Sequence, residues 1–282
     1  MKVLNVFKWS MGQLLKSSQG VLVIIISMTN TYILVSPFAR TAKIIDIHLT
    51  PAIYPLLIND KIGQLIFLSG YILLLTTIMQ DCTYEAIVLP RVGASFTSLG
   101  ILLQLIMIPI LYQTVFTLFS QLWLLNVTEW SFQWGEGWQL LTEQSNWTNN
   151  RPIFFPSSFM VTEHTMINAT VKTYFFESAL LIMIGLIFQL LKCLIHPVAG
   201  LFTVMFISLT DVLFYNMFPI PFRIFSPVSL AMLSTFQLPE KESGITEEYS
   251  ILFFMTTLTL LTIAFIKSDV IWRNTYKKGC LK

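Results

Sequence analysis

Six long apolar runs divide the chain, at about residues 21–37, 62–79, 99–125, 174–194, 198–218 and 251–266. Each approaches or exceeds the roughly 20 residues that a helix needs to cross a hydrocarbon core about 30 Å thick. The pattern predicts an all-α integral membrane protein, with six transmembrane helices in a single transmembrane domain over residues 1–282. The third run is longer than a span requires, so a tilted helix or one continuing beyond the bilayer is expected there. Ahead of the first run, Val3, Leu4, Val6, Phe7, Trp9, Met11, Leu14 and Leu15 alternate at near-helical spacing with Lys2, Lys8 and Lys16. That spacing predicts an N-terminal helix lying in the inner membrane interface. A cleaved leader is the rival reading of the first run, but the run is long and Ala39-Arg40-Thr41-Ala42 is a poor cleavage site, so the run is expected to be retained.

The polar stretches differ from one another. Residues 38–61 carry Pro51 and Pro55 around an apolar patch from Tyr54 to Ile58. The outer loop 126–172 is rich in Trp, Asn and Thr. After Pro219, Pro221 and Pro227, the apolar stretch from Val228 to Phe236 is too short to span, which predicts an outer re-entrant helix or hairpin before the sixth span. Glu240, Glu242, Glu247 and Glu248 then form a solvated acidic return.

Composition agrees with the pattern. The chain is 55% hydrophobic and 11% charged, against roughly 25% charged in soluble domains. Its net charge of +2 is too small to point to nucleic acid, so the basic residues are read by position. With the termini inside, the inner segments hold Lys2, Lys8, Lys16, Arg91, Lys192, Lys267, Arg273, Lys277, Lys278 and Lys282, and the outer ones hold the other seven of the 17. The inner segments are also the shorter, so the asymmetry predicts a multi-pass protein with both termini cytoplasmic. Cys82, Cys193 and Cys280 fall on that same side, away from an oxidising exterior.

This topology turns residues 81–98 towards the cytoplasm. Within them Ala86, Ile87, Val88 and Leu89 lie between Glu85 and Arg91, and Pro90 stops any helix begun at Tyr84. A short amphipathic helix followed by a Pro-Arg-Val-Gly corner is suited to meeting a soluble partner. Six spans, an amphipathic N-terminal helix, this helix between spans 2 and 3 and an outer excursion before span 6 resemble the permease subunit of type-2 ATP-binding-cassette exporters. Locally, Asp81, Tyr84, Ile87, Leu89, Arg91 and Gly93 resemble the coupling segment of uncharacterised permeases of Gram-positive bacteria. The resemblance implies a plasma-membrane permease that exports a peptide, bacteriocin or other amphipathic substrate. It implies Tyr84, Glu85, Ile87, Leu89, Arg91 and Val92 as the contact with a cytoplasmic ATPase, which would bind ATP and Mg. A second copy or a paralogous permease would complete the unit. No glycine is followed by lysine, so no G-x-x-x-x-G-K phosphate loop is present, and no catalytic residue is expected in this chain. A membrane immunity or complex-assembly protein that does not transport is the alternative.

Two acids fall inside the apolar runs, Glu177 and Asp211. Ionisable groups there are costly and usually face protein or water. With Tyr215 they are the candidates for a substrate path. Thr203, Ser208 and Tyr215 share the approximate face of Asp211, and a packed Asp satisfied by neighbouring hydroxyls is the competing reading. Gln104 and Gln113 are expected to make interhelical hydrogen bonds. No metal site is expected around His196, the histidine of the turn before Pro197. Trp130, Trp134 and Trp138 recur every fourth residue, as on one helical face, although Gly135 and Gly137 argue against a regular helix. In either case the indoles are expected to anchor the loop on membrane lipid at the outer interface, with a substrate or partner platform as the alternative.

Overall fold

The structure is a computed structural model that describes residues 2–79, 93–143, 156–217, 220–237 and 245–279. Among these residues there is no strand, only a parallel bridge between Leu49 and Thr128. Eleven α-helices are described: α1 (Lys2–Lys16), α2 (Ser18–Ile45), α3 (Ile53–Ile58), α4 (Lys61–Met79), α5 (Ala94–Leu122), α6 (Gly135–Glu143), α7 (Ser158–Glu163), α8 (Met166–Leu194), α9 (Pro197–Met217), α10 (Pro227–Ala231) and α11 (Glu247–Gly279). Five of them, α2, α5, α8, α9 and α11, are long and apolar enough to cross a membrane, and the apolar part of α4, Lys61–Thr77, is shorter. The chain is therefore an all-α, multi-pass membrane protein.

Several helices outrun their apolar runs because capping and tertiary contacts, not hydropathy, set their ends. α2 passes through Pro37 and continues to Ile45, where Asp46 takes a left-handed conformation and its amide donates to the Ala42 carbonyl. Phe38 and Ala42, beyond the expected end of that span, are fully buried. α8 starts eight residues before Tyr174, at a Thr165 cap whose hydroxyl accepts from the Asn168 amide. Residues 166–172, expected in a loop, thus belong to a helix. The apolar patch from Tyr54 to Ile58 is the wholly buried helix α3.

α8 is the central helix, packed against α5, α9 and α11, while α2 packs on α4 and α5, and α9 also packs on α4. Close approach needs small residues. A side chain at Gly200 of α9 would meet the Phe188 carbonyl of α8 at 2.9 Å. α1 lies along α5 and touches α2. Its Val6 is buried against Gly100, and its Ser10 hydroxyl donates to Gln104 Oε1 at 2.7 Å.

The chain has two ends in the sense of the bundle. α1 and the C-terminal part of α11 lie at the terminal end, where the Ser98 hydroxyl of α5 donates to Asp269 Oδ2 at 2.5 Å and the Cys193 thiol of α8 donates to Oδ1 at 3.4 Å. The loop end is closed by a cap built from α3, α6, α7 and the turns around α10. Leu49 donates to the Val127 carbonyl and Glu129 donates back to Leu49, both at 2.9 Å. Val228, Leu230, Ala231, Met232 and Leu233 are buried under this cap, and α10 packs against α8 and α9.

Candidate functional site

Polar groups concentrate in the loop-end half of the bundle, and most of them are spent on each other. Asn59, just before α4, donates from Nδ2 to the Pro55 carbonyl at 2.7 Å and to Thr173 Oγ1 at 3.0 Å. Its Oδ1 accepts from the Leu233 amide, and its carbonyl accepts from the Ser234 hydroxyl at 2.6 Å. Gln113 of α5 accepts from the Tyr54 hydroxyl at 3.3 Å and donates to Ser178 Oγ at 3.1 Å. Gln104 and Gln113 of α5 therefore both make the interhelical hydrogen bonds that their sequence context predicts.

Glu177 sits within this network, fully buried. Gln64 Nε2 of α4 donates to both of its carboxylate oxygens, at 2.9 and 3.0 Å. The donor comes from another helix, because α4 lies across from α8. Just outside the span, Asp60 accepts from the Ile62 and Gly63 amides at 2.9 and 3.2 Å and so caps α4. Burial pushes the Asp60 carboxyl above its ordinary range, against the pull of those two amides.

Asp211 is also buried, but its partner is not the hydroxyl stripe of its own helix. Ser208 and Thr203 donate to carbonyls one turn back in α9, Val204 at 2.8 Å and Ala199 at 2.9 Å. Asp211 Oδ1 instead accepts from Ser229 Oγ of α10 at 2.5 Å, a residue 18 positions on in a segment that sequence spacing could not connect to it. Its Oδ2 has no hydrogen-bond partner among the described residues. Tyr215, one turn further along α9, is half-exposed, and both Lys61 and Arg223 stand over its ring, with Nζ 2.6 Å and the guanidinium carbon 4.3 Å from the centroid. The structure thus groups Asp211 with Tyr215 and adds Lys61 and Arg223, while Glu177 belongs to the neighbouring α4–α8 contact. Arg223 had no signal in the sequence beyond a basic residue among aromatics.

The three tryptophans divide. Trp130 is 74% exposed, but Trp134 and Trp138 are 5% and 0% exposed. The Trp134 indole donates to the His164 carbonyl at 2.7 Å, and that of Trp138 donates to the Thr50 carbonyl at 3.0 Å. These two pin the loop-end cap together from inside and do not form a lipid-facing stripe with Trp130. The glycines do not prevent a helix either. Gly135 opens α6 with a positive φ of 67°, and Gly137 leaves room for the His48 carbonyl and Leu49, which a side chain there would strike. Beside α6 lies a cleft of about 750 Å³, lined in part by Phe132, Glu136, Gln139, Glu163 and His164. Burial, and after it the Lys172 ammonium, hold the His164 imidazole below its ordinary pKa.

The segment expected to meet an ATPase, with Tyr84, Glu85, Ile87, Leu89, Arg91 and Val92, lies outside the described residues. No group of three or more His, Cys, Asp or Glu side chains suited to a metal occurs among the described residues. The chain matches no protein-family model, no curated protein and no solved structure.

Proposed function

We propose that the chain is the membrane-spanning permease subunit of an ATP-binding-cassette exporter, carrying a peptide or other amphipathic substrate out of the cell. It resides in the plasma membrane with both termini in the cytoplasm, beside a second copy or a paralogous permease. A separate ATPase subunit binds ATP and Mg and docks on residues 84–92. The observation that supports this reading is the order of elements: an amphipathic helix laid along α5, six apolar helices, and short buried turns around α10 inserted before the last of them. α4 ends at Met79 and α5 begins at Ala94, so the proposed docking segment joins two adjacent members of the bundle at the end where α1 packs. Tilting driven by a motor at that corner would pass directly into α4 and α5.

The test is co-purification from membranes followed by measurement of ATP hydrolysis. The wild-type chain is expected to bring down an ATPase whose turnover depends on the complex. The double variant Leu89→Asp with Arg91→Glu is expected to lose that partner while still accumulating in the membrane. Assembly and activity unchanged by the double variant would defeat the proposal.

A further inference from the structure

The corner where Lys61, Tyr215 and Arg223 meet brings two cations to one aromatic ring without an ion pair to either among the described residues. Arg223 lies in the turn Ile220–Phe225 and is 7% exposed. Its Nε is buried without a hydrogen-bond partner among the described residues. Lys61 opens α4, and its ammonium, like that guanidinium, stands over the Tyr215 ring. Asp211 and Asp60 lie near enough to Lys61 to offset part of the repulsion from Arg223. Neither carboxylate forms an ion pair with these cations; among the described residues the one such contact is Lys172–Glu247. Asp211 is held by Ser229 and Asp60 by the first amides of α4. Two cations drawn together in a partly desolvated place repel each other unless an anion joins them.

We propose that this corner binds the phosphate of an anionic phospholipid, with the ammonium of Lys61 and the guanidinium of Arg223 as donors beside the Tyr215 ring. A guanidinium fork and a lysine point charge together suit a tetrahedral phosphate. The lipid, not a dissolved ion, is the source, because the rim is apolar: Ile62, Met217, Phe222 and Phe225 are 44%, 71%, 45% and 68% exposed around the charged centre. Tyr215 lies two residues from the end of α9, and Lys61 is the first residue of α4. The pair therefore sits where two apolar helices end, the level at which lipid headgroups lie and at which aromatic and basic side chains collect. Acyl chains can then follow the exposed faces of α4 and α9. The site needs no ATPase, so it stands or falls apart from the transport reading.

The experiment measures the thermal unfolding of purified full-length protein in neutral detergent, titrated with phosphatidylglycerol, phosphatidylcholine or inorganic phosphate. Phosphatidylglycerol at about 100 times its dissociation constant is expected to raise the Tm by about 5 °C or more, with phosphatidylcholine and inorganic phosphate giving little. Lys61→Gln and Arg223→Gln, singly, are expected to remove most of that rise, and Lys61→Arg to keep it. The wild-type comparison of the two lipids needs no variant, so a poorly folding Arg223→Gln does not shelter the proposal. Equal stabilisation by both lipids overturns it, as does a phosphatidylglycerol effect that survives both glutamine variants. A rise with inorganic phosphate matching that with phosphatidylglycerol overturns the lipid as the source.

Discussion

Trp138 offers the sharpest test of the loop-end cap. Its side chain is fully buried, touches the ring of Phe38 with centroids 6.0 Å apart, and donates its indole N–H to the Thr50 carbonyl at 3.0 Å. Truncation to alanine removes the largest fully buried side chain among the described residues and leaves a cavity, which costs about 3 to 5 kcal/mol. Trp138→Phe keeps most of the volume but strands the Thr50 carbonyl, at a cost of about 1 to 3 kcal/mol. Trp130, at 74% exposed, has no comparable packing, and its alanine variant is expected to stay within about 0.5 kcal/mol of wild type. At roughly 2 to 4 °C per kcal/mol for a chain of this order of size, Trp138→Ala should lower the Tm by roughly 6 °C or more. Trp138→Phe should fall between it and wild type, and Trp130→Ala should be almost silent. The assay is thermal unfolding in detergent, followed by intrinsic fluorescence or by loss of the monodisperse peak. If Trp130→Ala and Trp138→Ala shift the Tm alike, the indoles are equivalent surface anchors and the buried cap is wrong.

The contact between α4 and α8 predicts coupling. Gln64→Leu should destabilise the protein by about 1 to 3 kcal/mol because Glu177 loses its only hydrogen-bond donor among the described residues, whereas Gln64→Leu with Glu177→Met should recover most of that loss; strict additivity in the double-mutant cycle would contradict the pairing. At the terminal end, Ser98→Ala should cost about 1 to 3 kcal/mol through the Asp269 carboxylate, and a Tm equal to wild type would refute the contact. His164 predicts a pH dependence. Its folded pKa lies below the unfolded value of about 6.5, so its neutral form contributes stability that is present above that value and is lost as pH falls through the folded pKa. Tm measured from pH 7.5 down to pH 5 should fall less steeply in His164→Gln than in wild type, and identical slopes would remove His164 as the cause.

Asp211 shows why site geometry was less legible than fold class. Hydropathy marked it as a charged residue inside an apolar run, and helical spacing put Thr203 and Ser208 near its face. In the folded chain those hydroxyls turn back to their own helix carbonyls, as Ser and Thr readily do in apolar surroundings. The donor comes from Ser229, brought in by the turns around α10. The tryptophans teach the same lesson: a spacing of four places three indoles on one face only if a helix runs through all of them, and α6 begins after Trp134.

The order of apolar and polar residues determined by itself that this chain is helical and crosses a membrane repeatedly, because a lipid core satisfies no backbone hydrogen bond, and continuous apolar runs of this length suit a spanning helix where a barrel strand would be shorter and alternating. It also located two of the three acids buried among the described residues, Glu177 and Asp211 but not Asp269, and the interhelical Gln104 and Gln113, since a polar group in such a run must find a partner inside the protein. Which partner each found was decided only when the helices packed. Gln64 meets Glu177, and Lys61 meets Tyr215, across sequence separations of more than a hundred residues, and periodicity along one helix carries no information about the face of another. Where α2 and α8 end was likewise a matter of caps and of buried Phe38 and Ala42, because a helix can continue past the membrane wherever other parts of the protein cover it.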